Sequence, residues 1–199
     1  MARASNPSPA GAPRPRHVML CVTGSIAAYK AADVVSALRK EGHTVTVAMT
    51  ASATRLVTPL TFETLSHRKV ITDLFTDDEL HRPDHVNARH VADLVAVIPA
   101  TANVLSKAAC GIADDAVTTL LITVQCPLLF APAMNTAMWE NPVIRRNVQT
   151  LRDLGHHFIM PTDGELACGD VGYGKLAPVE EILQVLRSLL AKPHAKRAR

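Results

Sequence analysis

The chain has 199 residues, 48% of them hydrophobic and 20% charged, which favours one globular domain able to bury a sizeable core. Aromatic residues make up only 4%, so the core should be aliphatic, and the net charge of +3 lies largely in the two ends, which argues against a nucleic-acid surface. No apolar run approaches the ~20 residues of a membrane helix, and the cysteines Cys21, Cys110, Cys126 and Cys168 form no C-x-x-C pair, which points to reduced thiols in a cytoplasmic protein.

Residues 1–16, MARASNPSPAGAPRPR, lack the apolar segment of a secretory signal and read as a disordered arm carrying Arg3, Arg14 and Arg16. The ordered domain is expected over 17–191, and a basic tail with Lys192, Lys196, Arg197 and Arg199 over 192–199. Residues 17–24 (HVMLCVTG) are a short apolar run ending in glycine, as in a buried strand. Ile26, Tyr29, Val34 and Leu38 then recur at helical spacing until Gly42 stops the helix. Residues 43–50 are rich in β-branched side chains and predict a second strand. Residues 51–66 predict a helix interrupted by Pro59, and the polar stretch 67–87 reads as a long functional loop or short helices. A third strand is expected over 93–100, and a helical stretch broken by Gly111 over 105–123. A fourth strand with its exit loop follows over 126–135, a helix closed by Gly155 over 142–154, and a fifth strand over 156–161. Residues 163–175 hold four glycines and read as a loop. The last helix, 178–190, is amphipathic, with Val179, Ile182, Leu183, Leu186 and Leu190 on one face. Cys21, Cys110 and Cys126 lie in apolar runs and read as core residues.

Strand and helix alternate throughout. The expected fold is α/β: a Rossmann-like (flavodoxin-like) parallel sheet with helices on both faces, in three layers. Ligands of such sheets lie beyond the carboxyl ends of the strands, at a switch point. The first strand exits into Thr23-Gly24-Ser25 and a helix begins at once, a place where free amides and the helix dipole favour phosphate. Neither G-x-G-x-x-G nor G-x-x-x-x-G-K-[ST] occurs. The second strand exits into Thr50-Ala51-Ser52, which offers hydroxyls where a dinucleotide site wants a carboxylate, so a mononucleotide fits better. The third strand exits into Thr101-Ala102-Asn103 and the fourth into Ala133-Met134-Asn135. An asparagine there either reads a planar ring or a carboxylate, or only shapes its own turn.

TGSIAAYKA, TPLTFETLS, HVNARHVADL, PATAN, GIADD, PAMNTAMW and ACGDVGYGK occur in this order between about residues 17 and 190. On these blocks the chain resembles the homo-oligomeric flavin-containing cysteine decarboxylases. The resemblance implies bound FMN and removal of a cysteine carboxyl group, either that of 4′-phosphopantothenoylcysteine in coenzyme A biosynthesis or that of a peptide C-terminus in lantibiotic-type maturation. The first is the expectation for this chain, and a non-catalytic flavoprotein regulatory subunit is the alternative from another class. The implied chemistry oxidises the cysteine Cβ–S unit to a thioaldehyde, loses carbon dioxide to an enethiol, and restores the saturated thiol.

Carried over residue by residue, the resemblance assigns His85 as acid/base or as the group that orients the thiol, Asn135 as carboxylate holder and Cys168 as proton donor. It assigns flavin contacts to Gly24, Ser25, Thr50, Ser52 and Thr101, and substrate contacts to Ala133, Met134, Asn135, Gly169 and Lys175. Metal is not expected: His81 and His85 are four apart, but no third ligand is placed. A homotrimer or homododecamer is implied, with a small-molecule substrate, a phosphopantothenate–cysteine ligase as a separate partner, and no membrane or nucleic-acid partner. Ala88, Val91 and Lys175-Leu176 depart from the residues many relatives carry, which bears on substrate rather than flavin.

Overall fold

The computed structural model describes residues 15–74, 92–167, 169 and 171–192. Residues 1–14 of the expected arm over 1–16, the segment 75–91 with His81, His85, Ala88 and Val91, the residues Cys168 and Asp170, and residues 193–199 of the expected tail over 192–199 lie outside the described residues.

Five parallel strands form the central sheet: β1 (His17–Val22), β2 (Thr44–Met49), β3 (Leu94–Ala100), β4 (Leu128–Pro132) and β5 (His157–Phe158). Their spatial order is β2-β1-β3-β4-β5. Successive side chains of a strand face opposite ways, and the sheet divides its core accordingly. Val18, Leu20 and Val22 pack toward α1 (Lys30–Lys40), α3 (Pro59–Ser66) and α8 (Val179–Ala191). Met19 and Cys21 pack toward α4 (Ala102–Cys110), α5 (Ala116–Thr123) and α7 (Pro142–Asp153). Helices on both faces of a parallel sheet are the three-layer α/β fold expected from the sequence.

The breaks fall where the chain chemistry puts them. Pro59 opens α3 after the short α2 (Ala51–Thr54), because it lacks the amide an interior turn would need. Gly111, at φ 69°, ends α4, and Asp115 caps α5 through a reciprocal pair with Thr118. The helix after β1 starts later than its apolar spacing suggests, because Ile26–Tyr29 is a 3₁₀ turn.

Two expectations need correction. Residues 163–175 are not simply a loop: β6 (Thr162–Glu165) and β7 (Val171–Lys175) form an antiparallel hairpin. β6 (TDGE) has no apolar residue, and in β7 (VGYGK) only Val171 and Tyr173 alternate, between glycines, which is too short a period-2 signal to announce a strand. Of the three cysteines read as core, Cys21 is buried, Cys126 is half-buried and Cys110 is exposed. Cys110 is the last residue of α4, next to the Gly111 that ends it, and Cys126 precedes β4. Among the described residues no helix is long and apolar enough to cross a membrane.

Candidate functional site

The chain runs from the edge strand β2 across β1 to β3, so the connections leaving β1 and β3 diverge to opposite faces of the sheet. A crevice opens between them at their carboxyl ends. Thr23, buried at the end of β1, holds its floor: the Thr23 hydroxyl donates to the Pro99 carbonyl (2.7 Å) and accepts from the Thr101 amide (3.1 Å). A side chain on Gly24 would overlap that of Ser52, so glycine is what lets the turns after β1 and β2 meet.

Each of the first four strands ends in a residue that caps the following turn. Ser25 Oγ accepts from the Ala27 amide (3.4 Å), Thr50 Oγ1 from Ala53 (3.3 Å) and Thr101 Oγ1 from Val104 (3.4 Å). Asn135 Oδ1 accepts from Met138 (2.8 Å) at the start of α6 (Thr136–Glu140). That bond uses the acceptor of the Asn135 amide, and its Nδ2 donors have no protein partner among the described residues.

The β6–β7 hairpin forms the opposite wall. The Met134 amide donates to the Gly174 carbonyl (3.0 Å), and a Cβ on Gly174 would collide with the Met134 carbonyl oxygen. Gly174 sits at φ 139°, where a side chain would also be strained, so backbone meets backbone and the hairpin is seated on the β4 exit.

These walls enclose a cavity of about 500 Å³, within the ~300–1,000 Å³ typical of small-molecule sites. Gly24, Ser25 and Thr101 line it from the strand exits, and Ala133, Met134 and Asn135 from the β4 loop. Lys175 lines it from the hairpin. Seven of the assigned positions thus converge. Thr50 and Ser52 are not in the lining; Thr50 caps α2, and Ser52 abuts Gly24 from behind. Gly169 lies outside the lining, in a turn whose amide donates to the Leu166 carbonyl (2.9 Å). His85 and Cys168 fall outside the described residues.

Sequence reasoning overlooked Ile26, Tyr29, Lys30 and Glu165, which also line the cavity, and left Met138 of the PAMNTAMW block, a further lining residue, without a role. For Lys30 a signal existed, because it opens the first helix beyond a strand exit that faces the crevice. Thr23 was recognised only as part of the turn, although its hydroxyl ties β1 to β3.

The donor set fits a phosphorylated, planar ligand. Neutral hydroxyls and helix amides occupy the exits of β1 and β3, no carboxylate stands at the first four exits, and Ile26, Tyr29 and Met138 supply apolar wall. Two of the described thiols are held protonated: burial pushes Cys21 up to about 12 and Cys126 up to about 11. Among the described residues no group of three or more His, Cys, Asp or Glu side chains could hold a metal ion.

The flavoprotein family model matches residues 8–191. The chain is 41% identical over 177 residues to a probable phosphopantothenoylcysteine decarboxylase of Streptococcus mutans serotype c, covering 88% of this chain and 99% of that protein. It spans less than half, 44%, of the coenzyme A biosynthesis bifunctional protein CoaBC of Bacillus subtilis strain 168, at 46% identity over 177 residues and 89% of this chain. Among solved structures it is similar to a mutant PPC decarboxylase complexed with pantothenoylaminoethenethiol, with a TM-score of 0.81 and 30% identity, covering 90% of this chain and all of that one. It is also similar to the FMN-dependent cysteine decarboxylase SpaF, with a TM-score of 0.76 and 32% identity, covering 90% and 99%. With its family model spanning nearly the whole domain and its strand exits closed around one cavity, the chain belongs to the flavoprotein family.

Proposed function

We propose that the protein binds FMN and decarboxylates the cysteine moiety of 4′-phosphopantothenoylcysteine to give 4′-phosphopantetheine, a carbon–carbon lyase step of coenzyme A biosynthesis. The observation that carries this reading is the convergence of Ser25, Thr101 and Asn135 on one cavity, with the Asn135 amide donors unpaired beside it.

When bound, FMN supplies the two-electron exchange without which a simple carboxylate has nowhere to leave its electrons. The residues supply placement. The exits at Gly24, Ser25 and Thr101 hold the flavin through amides and hydroxyls, with Ser52 abutting Gly24 and Thr50 capping the turn after β2. Asn135 Nδ2 donates to the substrate carboxylate while Oδ1 remains engaged in capping α6, so the amide is held in one orientation. Ala133, Met134 and Lys175 border the substrate, and Gly169 belongs to the turn that follows β6. His85 acts as acid/base at the cysteine thiol, and Cys168 returns a proton to the enethiol.

The protein works in the cytoplasm as a homotrimer or homododecamer, which accounts for Ile26, Tyr29 and Met138 standing 61%, 59% and 46% exposed at the cavity rim. A phosphopantothenate–cysteine ligase supplies its substrate. Purified protein should be yellow, release FMN on denaturation and liberate carbon dioxide from 4′-phosphopantothenoylcysteine. Stoichiometric FAD or NADP in place of FMN would overturn the reading, and an active, flavin-loaded monomer in light scattering would overturn the assembly.

A further inference from the structure

Two cations border the cavity, and only one of them was anticipated. Lys30, the first residue of α1, is half-buried; Lys175, the last residue of β7, is exposed. Among the described residues neither ammonium has a carboxylate within ion-pair distance, in contrast to Lys107, which holds Asp114 at 2.6 Å. Glu165 is the sole carboxylate in the described lining, so the cations exceed it by one. Lys175 does not simply extend into solvent. Its chain lies back across Gly164, where a Cβ would come within 3.3 Å of both Cδ and Nζ. Two ammoniums without an ion-pair partner among the described residues, bordering one cavity beside apolar wall, suit a compact, multiply charged anion, and a phosphomonoester carries about −1.5 to −2 at neutral pH.

We propose that Lys30 and Lys175 receive the phosphomonoester of the substrate, so that the enzyme selects the phosphorylated over the unphosphorylated molecule. This rests on the decarboxylase reading above. The phosphate of the flavin has the same chemistry but a different place. Lys30 lies five residues beyond Ser25, about 10 Å along the intervening 3₁₀ turn, and the exits of β1 and β3 already present hydroxyls and amides.

The test is calorimetric titration of the FMN-loaded full chain with 4′-phosphopantetheine and with pantetheine, alongside flavin content and carbon dioxide release. The wild type should bind the phosphorylated compound at least about tenfold more tightly. Lys30→Met and Lys175→Met should each lose about tenfold toward 4′-phosphopantetheine and nothing toward pantetheine, with flavin content unchanged, while Lys30→Arg keeps the preference. Equal binding of both compounds by the wild type, or discrimination that survives both substitutions, would overturn the proposal. So would loss of FMN from Lys30→Met, which would give that lysine to the flavin. Tighter binding of the phosphorylated compound, sensitive to both lysines but without carbon dioxide release, would sustain the cation pair and overturn the decarboxylase reading instead.

Discussion

At the amino ends of the strands, polar side chains bond to one another. Asp93 accepts from the His17 amide (2.8 Å) and from Arg16 Nη1 (3.2 Å), Arg68 Nε donates to Thr46 Oγ1 (2.9 Å), and His17 Nε2 meets the same hydroxyl at 2.8 Å. His43 Nδ1 accepts from the Arg16 amide (3.3 Å). At the carboxyl ends, Ser25 and Asn135 each accept one bond in capping an adjacent turn, Thr101 Oγ1 accepts from the Val104 amide and from the Thr23 hydroxyl (3.3 Å), and a cavity stands beside them. One end of the sheet closes its polar groups on themselves, which fastens the chain; the other leaves donors over, which is what a ligand needs. Substitutions at the two ends should therefore separate activity from stability.

The largest effect is expected from Asn135→Asp. Aspartate caps a helix as well as asparagine does, so unfolding free energy should stay within about 0.5 kcal/mol. A carboxylate facing the substrate carboxylate should lower kcat/KM by about a hundredfold or more. Equal losses of stability and activity would erase the distinction between the two ends. Next comes Gly174→Ala, which forces a Cβ onto the Met134 carbonyl at an unfavourable φ. It should cost about 2 kcal/mol in denaturant unfolding and raise KM, because the hairpin wall loses its seat.

At the fastening end, Asp93→Ala removes both the Arg16 ion pair and the acceptor of the His17 amide. About 1–2 kcal/mol of stability should go while KM stays unchanged. The smallest effect is that of pH. His17 is held below the usual imidazole range by burial and then by Arg68, with Asp93 opposing. His43 is lowered by burial and by Arg16, against Glu41 and Asp93. Both favour the neutral ring in the fold, so the unfolded chain takes up protons first as pH falls through about 6.5. The stability they contribute is whole above that pH and declines below it, by less than about 1 kcal/mol between pH 7 and pH 6. Urea midpoints across this range should show the slope, and His43→Gln should flatten it.

The sheet was legible because buried parallel strands are nearly continuous apolar runs, as in 17–24 and 93–100, and because Pro59, Gly111 and Gly155 punctuate the helices. The hairpin was not, because Gly164, Gly172 and Gly174 serve close approach and positive φ rather than burial. The strand exits were readable one at a time. Their convergence depends on strand order, and the chain's step from β2 across β1 to β3 is a tertiary fact that no local pattern encodes. For the same reason Lys30 passed as a helix residue and Thr23 as part of a turn, although one borders the cavity and the other ties its floor.

The central claim is a redox-neutral decarboxylation at the cavity between β1, β3 and β4, and mass spectrometry tests it most directly. Purified, flavin-loaded protein incubated with 4′-phosphopantothenoylcysteine and no added reductant should turn over many times. The product should be lighter than the substrate by carbon dioxide alone and saturated at the thiol. Unchanged substrate in the presence of bound FMN, or a product formed only when NAD(P)H is consumed, would contradict the account.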